Sequence, residues 1–375
     1  MTASAAELLG DNLTNGNSFM QTNLVSDGTV PAELIDPDLI NPWGISSPAP
    51  GGPFWISDNN AGVTTFYSGS TKDGQVAIAP PLGKTGAGTP TGQVFNSTQG
   101  FNISQNGKTA PALFIFATED GTISGWNPNV NGGSSVIAVD NSKGGNPHGG
   151  DGAVYKGLAI GTTKDGTFLY AANFRNDSVD VFNSKFDLVK SFTDPTVPEG
   201  YAPFNVQVLD GKLYVTFAKQ DASRHDNVDG AGLGFVDEFS LNGSLIKRVA
   251  SNGPLNAPWG LAIAPAGFGE FSGDLLVGNF GDGTINVFNP TTDAYLGKLD
   301  RPDGKPFQET DLWALQANGD QILFTAGLAN EAHGLFGSLS ATSSPDPSMA
   351  TLTGEQSGRG SHYSGAAMGA GYFHW

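Results

Sequence analysis

Pro258-Trp259-Gly260-Leu261, then Leu275-Leu276-Val277-Gly278-Asn279, then Ile285-Asn286-Val287-Phe288: three short runs, separated by turns rich in Gly, Asn and Asp, decide how this chain is read. Each run is dense in β-branched, aliphatic or aromatic residues and too short for a helix, so each reads as a strand. The middle run is apolar nearly throughout, as expected of a strand covered on both faces. The last alternates, as expected of one nearer solvent.

The same triplet recurs along the chain. Its first member, a Pro or aromatic followed by a small and then an aliphatic residue, appears as Pro42-Trp43-Gly44-Ile45, Gly100-Phe101-Asn102-Ile103, Tyr155-Lys156-Gly157-Leu158, Pro203-Phe204-Asn205-Val206 and Leu312-Trp313-Ala314-Leu315. With Gly260, the third positions are 44, 102, 157, 205, 260 and 314, so the gaps are 58, 55, 48, 55 and 54 residues. Second runs follow at Phe54–Asp58, Leu113–Ala117, Leu169–Asn173, Leu213–Phe217 and Ile322–Ala326, and third runs at Val63–Tyr67, Ile123–Trp126, Val179–Phe182, Phe235–Phe239 and Gly334–Phe336. No segment of ten residues holds a helical period with helix formers, so helices are few. A β unit repeated six times at this period predicts an all-β fold, a single six-bladed propeller with four-stranded blades around a central channel.

Ring closure needs a strand from outside the repeat. Phe19-Met20-Gln21-Thr22-Asn23-Leu24-Val25 reads as one. It is predicted to complete the last blade as its outermost member, removing a free edge. Residues 1–16 read as a flexible segment, 17–340 as the propeller, and 341–375 as a Ser/Gly-rich tail whose end, Tyr372-Phe373-His374-Trp375, is apolar enough to dock.

Composition narrows the function classes. Lys+Arg 18 against Asp+Glu 36 gives a net charge of −18, with pI near 4.4. Such a surface repels phosphate backbones, so nucleic acid is excluded as a partner. No apolar run is long enough for a transmembrane segment. Cys is zero, so there is no disulfide, thiol nucleophile or thiolate metal site. With no thiol to oxidise and few basic residues, the chain is expected in an extracellular or periplasmic setting, although Met1–Asn12 shows no signal peptide. There is no phosphate loop and no dinucleotide fingerprint, hence no nucleotide cofactor. The chain reads as a monomer.

Several stretches carry a family resemblance: Asn41-Pro42-Trp43-Gly44, Ile123-Ser124-Gly125-Trp126-Asn127-Pro128, Leu255–Leu261, Leu276–Gly283 and Glu331-Ala332-His333-Gly334-Leu335-Phe336-Gly337. They resemble an uncharacterised bacterial family of NHL-type six-bladed propellers, some of which end in a PEP-type C-terminal sorting anchor. The resemblance implies the fold and an exported location. It brings no reaction and no catalytic residues, and this chain lacks the apolar anchor helix and basic stop.

Propeller geometry then sorts the loops. Loops joining second to third strands, and the connections between blades, share one face, here the top. That face should carry Asp58, Glu119, Asn173, Arg175, Asp226, Asp229, Asn279, Asp282 and Glu331, with His148, His225 and His333. Three imidazoles at a channel mouth could hold zinc or another transition metal with an open position. A metal-bound water would then attack an ester or lactone or assist an elimination, with Glu331 or Asp226 as base. Equally, the histidines could cap loops. The carboxylates, Asp151 among them, could hold calcium, or serve their own turns. Trp43, Trp259 and Trp313 occupy equivalent positions and read either as inter-blade packing or as an aromatic rim for a ligand. Lys156 stands where the repeat expects Trp or Phe, which makes it a binding or proton-transfer candidate. Two functions stay open: an exported ligand-binding or scaffold propeller taking a small molecule or glycan at its top face, and a metal-dependent hydrolase or lyase.

Overall fold

A computed structural model describes residues 18–48, 51–144 and 152–342. Residues 1–16, residues 343–375 of the expected tail, His148 and Asp151 lie outside the described residues. Six four-stranded antiparallel blades stand in a ring, a six-bladed β-propeller. From the inner strand outward, blade 1 is Pro42–Ser46, Phe54–Asp58, Val63–Ser68 and Thr71–Ala77. Blade 3 is Tyr155–Thr163, Gly166–Asn173, Ser178–Phe182 and Leu188–Phe192. Blade 4 is Tyr201–Leu209, Lys212–Lys219, Phe235–Phe239 and Leu245–Ser251, and blade 5 is Pro258–Ile263, Leu275–Asn279, Ile285–Phe288 and Tyr295–Lys298. Helix is confined, among the described residues, to Gly269–Phe271 and Leu328–Glu331.

Blade 2 corrects the sequence reading. Its inner strand is Pro90–Phe95, followed by Phe114–Thr118, Thr122–Trp126 and Val136–Asp140. The expected anchor at Gly100–Ile103 lies instead in an inserted hairpin, Asn102–Gln105 with Lys108–Pro111. The third positions are therefore 44, 92, 157, 205, 260 and 314, and the gaps become 48, 65, 48, 55 and 54.

The reason for a small residue at that position is now visible. A methyl group on Gly44 would stand 2.7 Å from the carbonyl oxygen of Thr91. On Gly92 it would run into the Leu158 amide and lie 2.7 Å from the Gly157 carbonyl carbon; on Gly260 it would lie 2.7 Å from the Trp313 carbonyl oxygen. Neighbouring inner strands meet backbone to backbone here. Side chains add hydrogen bonds between neighbouring blades. Thr91 Oγ1 donates to the Tyr155 carbonyl at 2.8 Å, Asn205 Nδ2 to the Trp259 carbonyl at 2.7 Å, and Thr325 Oγ1 to the Trp43 carbonyl at 2.6 Å.

Blade 6 closes as expected. Leu312–Asn318, Gln321–Ala326 and Leu335–Ala341 are joined by the N-terminal strand Phe19–Ser26, running antiparallel to Leu335–Ala341 from Phe19↔Ala341 to Ser26↔Leu335. Phe19 is buried and stacks on Phe268 of blade 5 at 4.5 Å between ring centres. Leu34–Ile35 adds a parallel pair beyond this strand.

Candidate functional site

One position before the small residue, the six inner strands present Trp43, Thr91, Lys156, Phe204, Trp259 and Trp313. Trp43 stacks on Trp313 at 3.4 Å, and Trp259 meets both edge-on at 6.1 and 5.7 Å. Phe204 and Phe280 close on Trp313 at 5.9 and 4.2 Å. All three tryptophans are buried, so their ring faces are spent on one another. This is the packing alternative, not an open aromatic rim.

Lys156 replaces one aromatic in that layer. Its side chain is 2% exposed. Its ammonium lies 5.1 Å from the Trp43 ring centre and 5.9 Å from that of Phe174, an attractive placement for a cation. It donates to Glu119 Oε1 and, at 3.1 Å, to Asp226 Oδ1. Burial alone would depress the ammonium, but the two carboxylates outweigh it and hold its pKa above the usual lysine value.

Turn chemistry places those carboxylates. Glu119 follows the second strand of blade 2 and is held by Asn59 of blade 1, whose Nδ2 donates to Oε2 at 3.0 Å. Asp226 and His225 sit in the long loop of blade 4. Asp221 Oδ1 organises that loop by accepting the His225 amide at 2.9 Å. His225 Nδ1 pairs with Asp226 Oδ1 at 3.0 Å, which lifts the imidazole above its ordinary pKa. The same bond, with Lys156, holds the Asp226 carboxyl well below the carboxylate range. Candidate metal donors of Glu119, His225 and Asp226 lie within 4.8 Å of one another. The Lys156 ammonium already engages two of the three, so a cation of another kind must displace it.

Glu331 completes the mouth from blade 6. Ala329, Asn330 and Glu331 are three successive non-glycine residues with left-handed backbone, at φ 57°, 55° and 64°. Each such residue costs about 1–2 kcal/mol, and strain of this kind concentrates where geometry serves a function. Asp311 steadies the turn by accepting the Glu331 amide at 3.0 Å, and Asn60 Nδ2 donates to the Glu331 carbonyl at 2.7 Å. Burial first, then the nearby Glu119 charge, pushes the Glu331 carboxyl up to about 7.

The remaining candidates separate from this group. His333 Nδ1 contacts Asp27 Oδ2 at 2.6 Å and Thr29 Oγ1 at 2.7 Å, at the closure of blade 6. His225 thus stands with two carboxylates, and His333 serves the N-terminal clasp. Asp58 is fully buried inside blade 1; its Oδ2 accepts the Thr65 amide and hydroxyl, and burial raises its pKa well above normal. Asn173 Nδ2 donates to Asp180 at 2.9 Å, and Arg175 Nη1 to the Gly152 carbonyl at 3.1 Å. Asn279 donates to the Pro254 carbonyl and to Asp282, whose Oδ1 also accepts the Thr284 amide. Of these groups, Asp282 serves its own turn and the others bond neighbouring strands and loops. Asn59 falls in the Asp58–Asn60 stretch that the sequence places on the top face, whereas Asp311 was not singled out from sequence. The signal for Asp311 is positional: it precedes an inner strand, as Asn41 and Ala257 do, and all three have positive φ.

No protein-family model matches the chain. It is similar to "Uncharacterized protein R648" of Acanthamoeba polyphaga mimivirus, 32% identical over 328 residues that cover 84% of this chain and 78% of that protein. It is also similar to "Uncharacterized protein L690" of the same virus, 33% identical over 329 residues, 84% of each. These relatives are viral, where the sequence resemblance pointed to a bacterial family. Among solved structures, a streptogramin B lyase shares the fold, with a TM-score of 0.50 and 13% identity over 86% of this chain and 97% of that one.

Proposed function

This chain belongs to the family of the mimivirus proteins R648 and L690, and within that family we propose that it is an exported propeller that binds a small cationic molecule at its top mouth. One observation carries the reading. Four carboxylates, Glu119, Asp226, Asp311 and Glu331, gather at the mouth around one lysine ammonium, Lys156, and the His225 imidazole. An incoming ammonium or guanidinium offsets that excess of negative charge without disturbing the aromatic layer beneath. Export is supported by the cysteine-free, acidic composition, and recovery of the native protein from the cytosolic fraction would overturn it.

Calorimetry with putrescine and choline, against uncharged isosteres, tests the site. Both cations should bind more tightly at pH 8 than at pH 6, by up to about tenfold through Glu331, which ionises near 7. Glu331→Gln should remove the Glu331 part of that pH dependence and leave only the part set by His225, whose imidazole Asp226 holds above its ordinary pKa. Failure of both cations to bind at pH 8 overturns the proposal.

A second reading, a metal-dependent hydrolase or lyase, is favoured by the donor set Glu119, His225 and Asp226. Two carboxylates and an imidazole suit zinc, manganese or iron. A bound metal would supply a water of lowered pKa. The chain's own part would be Glu331, which exchanges a proton near neutrality. Removing the competing ammonium by Lys156→Met should then raise affinity for Zn²⁺ or Mn²⁺. If neither the parent nor that variant takes up metal, this second reading falls and the first stands.

A further inference from the structure

The channel has a second end. A cavity of about 680 Å³ opens at the bottom, lined by the later residues of all six inner strands. Its volume falls in the range of small-molecule sites. The layer of closest strand approach and the aromatic stack separate it from the Lys156 cluster. A side recess of about 310 Å³ shares Gln316 and Ala317 with it and reaches Phe54.

The lining is divided by chemistry. Two residues past the small position, blades 1, 4 and 6 present Ser46, Gln207 and Gln316, whereas blades 2, 3 and 5 present Val94, Ala159 and Ala262. Gln93, which also lines the cavity, is spent on structure: its Nε2 donates to the Gly44 and Trp55 carbonyls at 2.8 and 2.9 Å. Gln207 and Gln316 are different. Both are only partly buried, and within the described residues their amides form no side-chain hydrogen bond. No Lys, Arg or His lines the cavity; its one ionisable group is Asp210, exposed at the rim. An anion finds no partner there, and a purely apolar molecule would leave two amides unpaired.

We propose that this bottom cavity is a second binding site, for an uncharged small molecule with hydroxyl edges and an apolar face, of the kind a neutral pyranose presents. Gln207 and Gln316 hold the hydroxyl edges from blades 4 and 6. The alanine and valine side chains of blades 2, 3 and 5 meet the apolar face. The proposal is independent of the cation reading at the other end.

Calorimetry and saturation-transfer NMR on the full chain test it, with glucose, N-acetylglucosamine and cellobiose as probes and glucuronate as the charged counterpart. At least one neutral sugar should bind, and glucuronate should bind at least tenfold more weakly. Gln207→Ala and Gln316→Ala should each weaken the neutral sugar at least tenfold. Ala317→Trp, a change at an exposed rim position, should abolish it with thermal stability retained. Glu331→Gln should leave it unchanged, which keeps failure here distinct from failure at the top mouth. No neutral sugar bound at millimolar concentration, or binding untouched by Ala317→Trp, overturns the proposal.

Discussion

Gly92→Ala tests the ring where the sequence misread it. The added Cβ would meet only backbone: the Leu158 amide nitrogen, the Gly157 carbonyl carbon at 2.7 Å and the Gly157 Cα at 2.9 Å. Backbone cannot rotate away, so blades 2 and 3 must separate. Overpacking of this kind costs typically 1–3 kcal/mol, and with no yielding side chain the upper end applies. Restricting the unfolded chain returns about 0.4–1 kcal/mol. The expected net loss is therefore about 2–3 kcal/mol. Gly107→Ala is the matched control, at φ +77° with nothing within 4 Å of the new atom; it should lose about 1 kcal/mol from its left-handed backbone alone. Asn102→Ala removes an exposed side chain bonded only to the Gln99 carbonyl and should change little.

Guanidinium unfolding with a common slope measures all three. Were Gly100–Ile103 the inner strand, the order would reverse, with Asn102 costly and Gly92 neutral. A Gly92→Ala protein within 0.5 kcal/mol of the parent would refute the backbone ring and the assignment of blade 2 with it.

Lys156→Met should destabilise by about 1–3 kcal/mol, the cost of one stranded buried acceptor, because Asp226, 64% exposed, turns to water and only Glu119, at 12%, is left without its cation. The double variant with Glu119→Gln should recover most of that loss in thermal melts, and a single variant as stable as the parent would contradict the network. Glu331 has a folded pKa raised from 4.5 to about 7. The folded state therefore holds the extra proton, and stability should fall as pH rises between those values, by up to about 3 kcal/mol. Glu331→Gln should raise the melting temperature at pH 8 but not at pH 4; equal effects at both would exclude the shift. Deleting residues 1–26 should leave Leu335–Ala341 as an open edge and strip Phe19 from Phe268. Size-exclusion chromatography should then show oligomers or aggregate, and a monodisperse monomer would overturn the clasp.

How much of this was legible in the sequence depends on what each residue's identity records. Blade number, the closing strand and the buried second strands follow from hydrophobic runs and their period, because every blade must solve the same packing problem. Blade 2 misled for a physical reason. Pro90-Thr91-Gly92-Gln93 keeps the small residue but has Thr in place of the aromatic, since Thr91 bonds the neighbouring strand's carbonyl. The inserted hairpin meanwhile mimics the pattern: Phe101 is buried, yet at φ 57° it packs on Phe186 and faces no channel. At the top mouth, residue type was a poor guide. Asp58, Asn173 and Asn279 look like ligands and are engaged in hydrogen bonds within their own blades. His333 looks like a metal donor and ties the N-terminal loop to blade 6. Lys156 was the better signal because it breaks the repeat. A buried ammonium in an aromatic layer persists only if partners are built for it, so Glu119 and Asp226 had to come from other blades. A departure from a packing rule thus locates the mouth where a histidine count does not.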